Sequence, residues 1–110
     1  MQDIYELPEE ETIPLSHPIS MGKEHREYQE ITLREPSLDE VDNFYKERGK
    51  EDSLLSGMGL LISLVSGVPR PAVRKLKFRD YKRCEVWLTR FLTWVPPEKG
   101  EESGDASEPT

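Results

Sequence analysis

The sequence predicts an α+β domain: an N-terminal β-hairpin followed by a small bundle of three to four helices, with a disordered C-terminal tail. Three observations carry this. Apolar and polar residues alternate from Ile13 to Ile19 and again up to Leu33, the period of a half-buried strand. From Leu38 onward apolar residues recur every three or four positions, the period of a helix. Proline and glycine stand between these stretches, at Gly22, Pro36, Gly67, Pro69 and Pro96-Pro97.

Each element follows from local chemistry. In the first strand Ile13, Leu15, His17 and Ile19 share one parity, and Pro14 and Pro18 share the other. Proline has no N–H for a ladder, so this strand belongs at an edge. Met21-Gly22-Lys23-Glu24 reads as the turn, with Gly22 supplying a positive φ. The return strand spans about Arg26 to Arg34, with Gln29, Ile31 and Leu33 on one face. After Pro36, Ser37 and Glu40 have the spacing of a capping box. Leu38, Val41, Phe44 and Tyr45 fall on one face of the helix that follows, which should stop near Arg48-Gly49.

Asp52 or Ser53 can cap a second helix carrying Leu54, Leu55, Met58, Leu60, Leu61, Ile62, Leu64 and Val65. A helix apolar on nearly every side is central in a fold or partly an interface. Gly57 and Gly59 each weaken it by about 1 kcal/mol against alanine, and would let another backbone approach. Gly67 is a natural stop. Pro69 or Pro71 can start a short third helix reaching Lys75 or Leu76. A fourth opens at Phe78-Arg79-Asp80-Tyr81, with Tyr81, Cys84, Leu88, Phe91, Leu92 and Val95 in one stripe and Trp87 and Trp94 beside it. The expected organisation is a flexible acidic N-terminus over 1–11, one folded domain over 12–95 and a disordered acidic tail over 96–110.

Charge is unevenly distributed along the 110 residues. Residues 1–52 carry 15 acids and 6 bases, residues 53–94 carry 8 bases and 2 acids, and residues 95–110 carry 5 acids and 1 base. With a net charge of −7, the chain as a whole is not drawn to nucleic acid, although a local basic face could be. The lone Cys84 cannot close an intramolecular disulfide, which suits a reducing compartment. Met1-Gln2-Asp3-Ile4-Tyr5 lacks the basic start and apolar core of a secretory signal. The apolar stretch from Leu54 to Val68 is shorter than a membrane span, so no membrane association is expected.

No residue set looks catalytic. His17, His25 and Cys84 are the only soft metal-ligand candidates, and none has a paired ligand spacing; no metal or other cofactor is expected. No nucleophile elbow, phosphate loop or paired carboxylates occur. The strongest local signal is basic: Arg70, Arg74, Lys75, Lys77, Arg79, Lys82 and Arg83, interrupted by one acid, Asp80. It can pair with the acidic N-terminal half, meet an acidic partner, or, as a short helix, turn and helix, contact DNA. The candidate partner-binding residues are Met58, Leu61, Leu64, Trp87 and Phe91 with Arg70, Arg74, Lys75, Arg79, Lys82 and Arg83. So small a domain also leaves apolar surface for self-association. If Leu61 and Trp87 are exposed, Leu61→Asp or Trp87→Ala weakens partner binding; if they are core, the same changes unfold the domain.

From about Ile13 to Trp94 the chain resembles the tail assembly chaperones of Mu-like phages and prophages. The resemblance lies in His17-Pro18-Ile19, Gly22-Lys23, Ile31-Thr32-Leu33-Arg34-Glu35-Pro36-Ser37, the run Leu61-Ile62-Ser63-Leu64-Val65-Ser66-Gly67-Val68-Pro69, and Leu76-Lys77-Phe78-Arg79-Asp80-Tyr81. It implies a non-enzymatic protein of the host bacterial cytoplasm. Such a protein binds the tape measure protein, assists the tail tube protein and is absent from the mature virion. The acidic lead and the Pro14/Pro18 pair are not tied to that family. Two other functions stand beside this one: a small DNA-binding regulator using residues 70–83, and a structural subunit of the tail.

Overall fold

The computed structural model describes residues 6–21 and 26–96. The element order is β1 (Glu10–Met21), β2 (Arg26–Arg34), α1 (Leu38–Glu51), α2 (Leu54–Ser66), α3 (Arg70–Val73) and α4 (Phe78–Leu92). The expected hairpin and helices are all present. The expectations for Gly22-Lys23, His25, the first five residues and the tail beyond Pro96 lie outside the described residues.

β1 and β2 form a two-stranded antiparallel sheet. β1 begins at Glu10, ahead of the expected boundary at residue 12, and the Glu35 amide extends the pairing by donating to the Glu9 carbonyl at 2.8 Å. Leu7, just before, is buried. The simple alternation expected in β1 does not hold. Between Pro14↔Glu30 and Ile19↔Tyr28 the strand spends three more residues than its partner. The bulge runs from just after Pro14 to Pro18, and prolines cannot donate to a ladder. Ile13 and Ile19 are therefore buried, Leu15 is half-buried and His17 is exposed. On β2, Ile31 and Leu33 are buried, whereas Gln29 is exposed.

The strand-to-helix junction forms as its residues predict. The Ser37 hydroxyl accepts from the Glu40 amide at 3.2 Å, and the Glu40 carboxylate accepts from the Ser37 amide at 2.9 Å. Arg34 closes on the same carboxylate with two bonds, of 2.8 and 2.6 Å. This fork holds Glu40 down at about 2, against the opposing effect of burial. α1 then runs past Gly49 to Glu51. It ends at Asp52 in the left-handed region, φ 52°, a conformation that aspartate tolerates better than most residues. Only Phe44 of the expected α1 face is buried; Leu38 and Tyr45 are exposed.

Ser53 caps α2 by accepting from the Ser56 amide, and Gly67 ends it at φ 79°. α2 touches α1, β2, α3 and α4, so its many apolar faces are mostly accounted for by neighbours within the chain. Gly57 is the point of closest approach. A Cβ there would lie 2.9 Å from the Arg48 Cβ and 3.0 Å from the Phe44 carbonyl oxygen of α1. α3 stops at Val73 because the Lys75 and Leu76 amides bond three residues back, to Ala72 and Val73, tightening the chain into a turn. α4 ends at Leu92, and Val95, expected on its stripe, is exposed beyond it. The core joins Ile13, Ile31 and Leu33 of the sheet to Met58, Leu61, Ile62, Cys84 and Leu88 of the helices.

Candidate functional site

The apolar candidates divide by burial. Met58, Leu61 and Trp87 are in the core, with Leu61 at 0% exposure; they hold the fold and present no side chain to a partner. Leu64 and Phe91 are half-buried. Cys84 is fully buried, and burial pushes its thiol up to about 11.

The basic run divides as well. Arg70 reaches back to α1, donating to Glu47 at 2.7 Å and to the carbonyl and hydroxyl of Ser56 at 3.2 Å. Arg83 donates to Asp80 at 3.1 Å and to the Pro14 carbonyl of β1. Lys82 pairs with Glu85 at 2.8 Å. Arg74, Lys75, Lys77 and Arg79 are exposed and have no ion pair among the described residues. Among the described residues, the expected pairing with the acidic N-terminal half is made by Arg70 alone of the run.

Two concavities border α4. The larger, of about 450 Å³, lies between β1 and α4 and is lined by Glu11, Thr12, Ile13, Pro14, Lys82, Arg83, Val86, Trp87 and Arg90. Its polar groups are mostly bound to one another. The Trp87 indole N–H donates to Glu11 at 2.7 Å, and the Arg90 guanidinium lies 5.6 Å over the Trp87 ring. At its edge is Asp80, the one charged residue buried among those described. Burial raises the Asp80 carboxyl, but the Ser16 amide and hydroxyl, the His17 amide and Arg83 outweigh it and hold the group below its ordinary value. The Ser16 amide donates to both carboxylate oxygens at 3.0 Å, and its hydroxyl donates at 2.9 Å. This carboxylate pins the bulge of β1 onto α4.

The second concavity, of about 230 Å³, is a groove between α2 and the turn from α3 to α4. Leu55, Gly59, Val73, Arg74, Leu76, Phe78 and Tyr81 line it. Leu55 and Phe78 are 53% and 63% exposed. Tyr81 is buried, and its hydroxyl has no hydrogen-bond partner among the described residues; burial and then Glu85 push it up to about 12. Leu55 and Phe78 were not in the candidate set. Phe78 carries a legible signal, since it continues the Tyr81-Cys84-Leu88 stripe by one turn, past the end of the covering elements.

A family model described as phage tail assembly chaperone proteins, E, or 41 or 14, matches residues 12–93, from β1 to just past the end of α4. The chain belongs to the phage tail assembly chaperone family. The match spans the same elements as the resemblance read from the sequence; it includes the whole lining of the smaller groove and all of the larger concavity's lining except Glu11. No curated protein and no solved structure matches the chain. Among the described residues of this tail assembly chaperone, no three His, Cys, Asp or Glu side chains are grouped to hold a metal ion, and no helix is long and apolar enough to cross a membrane. The smaller groove thus sets apolar walls beside cations that have no ion pair among the described residues.

Proposed function

We propose that this chain binds the phage tape measure protein, keeps it soluble in the host bacterial cytoplasm while the tail tube protein assembles around it, and leaves before the virion is complete. It acts by binding and not by catalysis. The observation that carries this reading is the groove of Leu55, Gly59 and Phe78 beside four cations that have no ion pair among the described residues, within a domain of the tail assembly chaperone family. A long helical protein waiting for its tube exposes apolar faces. A groove of this kind covers such a face by burying one stripe of a helix. The neighbouring cations steer the encounter and fix its orientation more than they add affinity.

The test is co-expression of the tagged chain with the tape measure protein of the same phage, with recovery and solubility of the latter measured. Co-purification with more soluble tape measure protein is the expected result. A folded chain that neither captures it nor changes its solubility rejects the reading.

The same four cations favour a second reading, contact with DNA. Its signature is duplex binding that falls steeply with salt. Phe78, an exposed aromatic in their midst, is better suited to an apolar partner. A structural role in the tail predicts the chain in purified particles.

A further inference from the structure

Two glycines stand two positions apart in α2, and the fold requires only one of them. Gly57 is demanded by α1, whose backbone leaves no room for a Cβ. Gly59 is buried at the bottom of the groove and helical, with no positive φ to require glycine, yet a Cβ built on it meets no heavy atom within 4 Å outside its chain neighbours and its own helix backbone. Glycine inside a helix weakens it, so the chain keeps a destabilising residue where none of its own described atoms uses the space. That space is the floor of the groove whose walls are Leu55 and Phe78.

We infer that Gly59 keeps this floor open for one bulky apolar side chain of a partner helix whose flanking residues are acidic. The inference rests on the proposed function and names the kind of segment recognised. The occupant is a helix and not a strand because the groove is walled by α2, the turn after α3 and the start of α4, and no strand edge borders it among the described residues. It offers no free ladder for a strand to join. The flanks are acidic because Arg74 lines the groove and Lys75, Lys77 and Arg79 continue the charge through the turn into α4, all without ion-pair partners among the described residues.

The experiment titrates the full chain with tiled segments of the same phage's tape measure protein. Wild type is compared with Gly59→Ala, Gly59→Leu and Phe78→Asp, with circular dichroism melts and sedimentation run alongside. Bound segments should be amphipathic helices carrying Asp or Glu beside the apolar stripe. Gly59→Ala should melt no lower than wild type yet bind more weakly, and Gly59→Leu and Phe78→Asp should each weaken binding by about tenfold or more. A folded Gly59→Leu chain that binds with wild-type affinity overturns the inference while leaving the proposed function standing. So does a wild-type dimer that Gly59→Leu converts to monomer, because the groove would then hold a second copy. Wild-type chain that binds no segment removes both.

Discussion

The two sides of α4 use similar residues to opposite ends. Toward β1, Arg83, Asp80, Trp87 and Glu11 are bound to one another or to the strand, so the larger concavity is a structural seam. Toward α2 and α3, Arg74 is exposed, and Phe78 is 63% exposed with one side on Tyr81; the smaller groove there is the docking site we propose. A cation or an aromatic ring is available to a partner only where the fold has not already engaged it.

Substitutions can break or sharpen that contrast. The largest effect belongs to the seam. Trp87→Ala removes a buried ring and leaves Glu11 without its indole donor, and should cost about 3–5 kcal/mol in denaturant unfolding. Little loss of stability would place Trp87 outside the core and return it to the binding surface. Asp80→Ala frees the bulge of β1 and should cost about 1.5–3 kcal/mol, with faster amide exchange at Ser16 and His17.

Acid should act on the same carboxylate. Its folded pKa is held below 3.8, so its contribution is complete above that value and is lost as pH falls through the folded pKa. Glu40 adds a loss of the same sign, beginning near 4.5 and finishing near 2. Acid titration of stability should fall through this window in wild type and more shallowly in Asp80→Asn. An equal slope in both would deny Asp80 its role as the pin.

Smaller effects separate the two glycines. Gly57→Ala should lower the melting temperature by forcing α1 away, whereas Gly59→Ala should raise stability by up to about 1 kcal/mol. The same sign for both would erase the distinction between a packing glycine and an open one. Smallest of all, Phe78→Ser should change stability by only about 0.5 kcal/mol while partner capture falls. A pronounced loss of stability would make Phe78 part of the core and the groove part of the fold.

Much of this was readable from residue order. Pro36, Ser37 and Glu40 locate the start of α1, and Gly67 locates the end of α2, because caps depend on neighbours a few positions away. The end of α1 was less legible. Gly49 suggested a stop that Asp52 makes instead, since a glycine can be carried inside a helix and aspartate can adopt the left-handed turn. The apolar candidates show the same limit. Periodicity put Phe91 on an apolar stripe with Trp87 beside it, and Leu61 on a helix apolar nearly all round, but it cannot tell a face covered by the chain from one left for a partner.

The sequence by itself determined the α+β class, the order of a hairpin and then three to four helices, and the resemblance to tail assembly chaperones. All of these depend on spacing along the chain. Tertiary structure alone decided that Trp87 and Leu61 are core, that Asp80 and Arg83 are committed to β1, and that Leu55 and Phe78 stay exposed around the buried Gly59. Those outcomes depend on which elements meet across distances in sequence such as that from Ser16 to Asp80. Burial and pairing are properties of those meetings, and local pattern does not contain them.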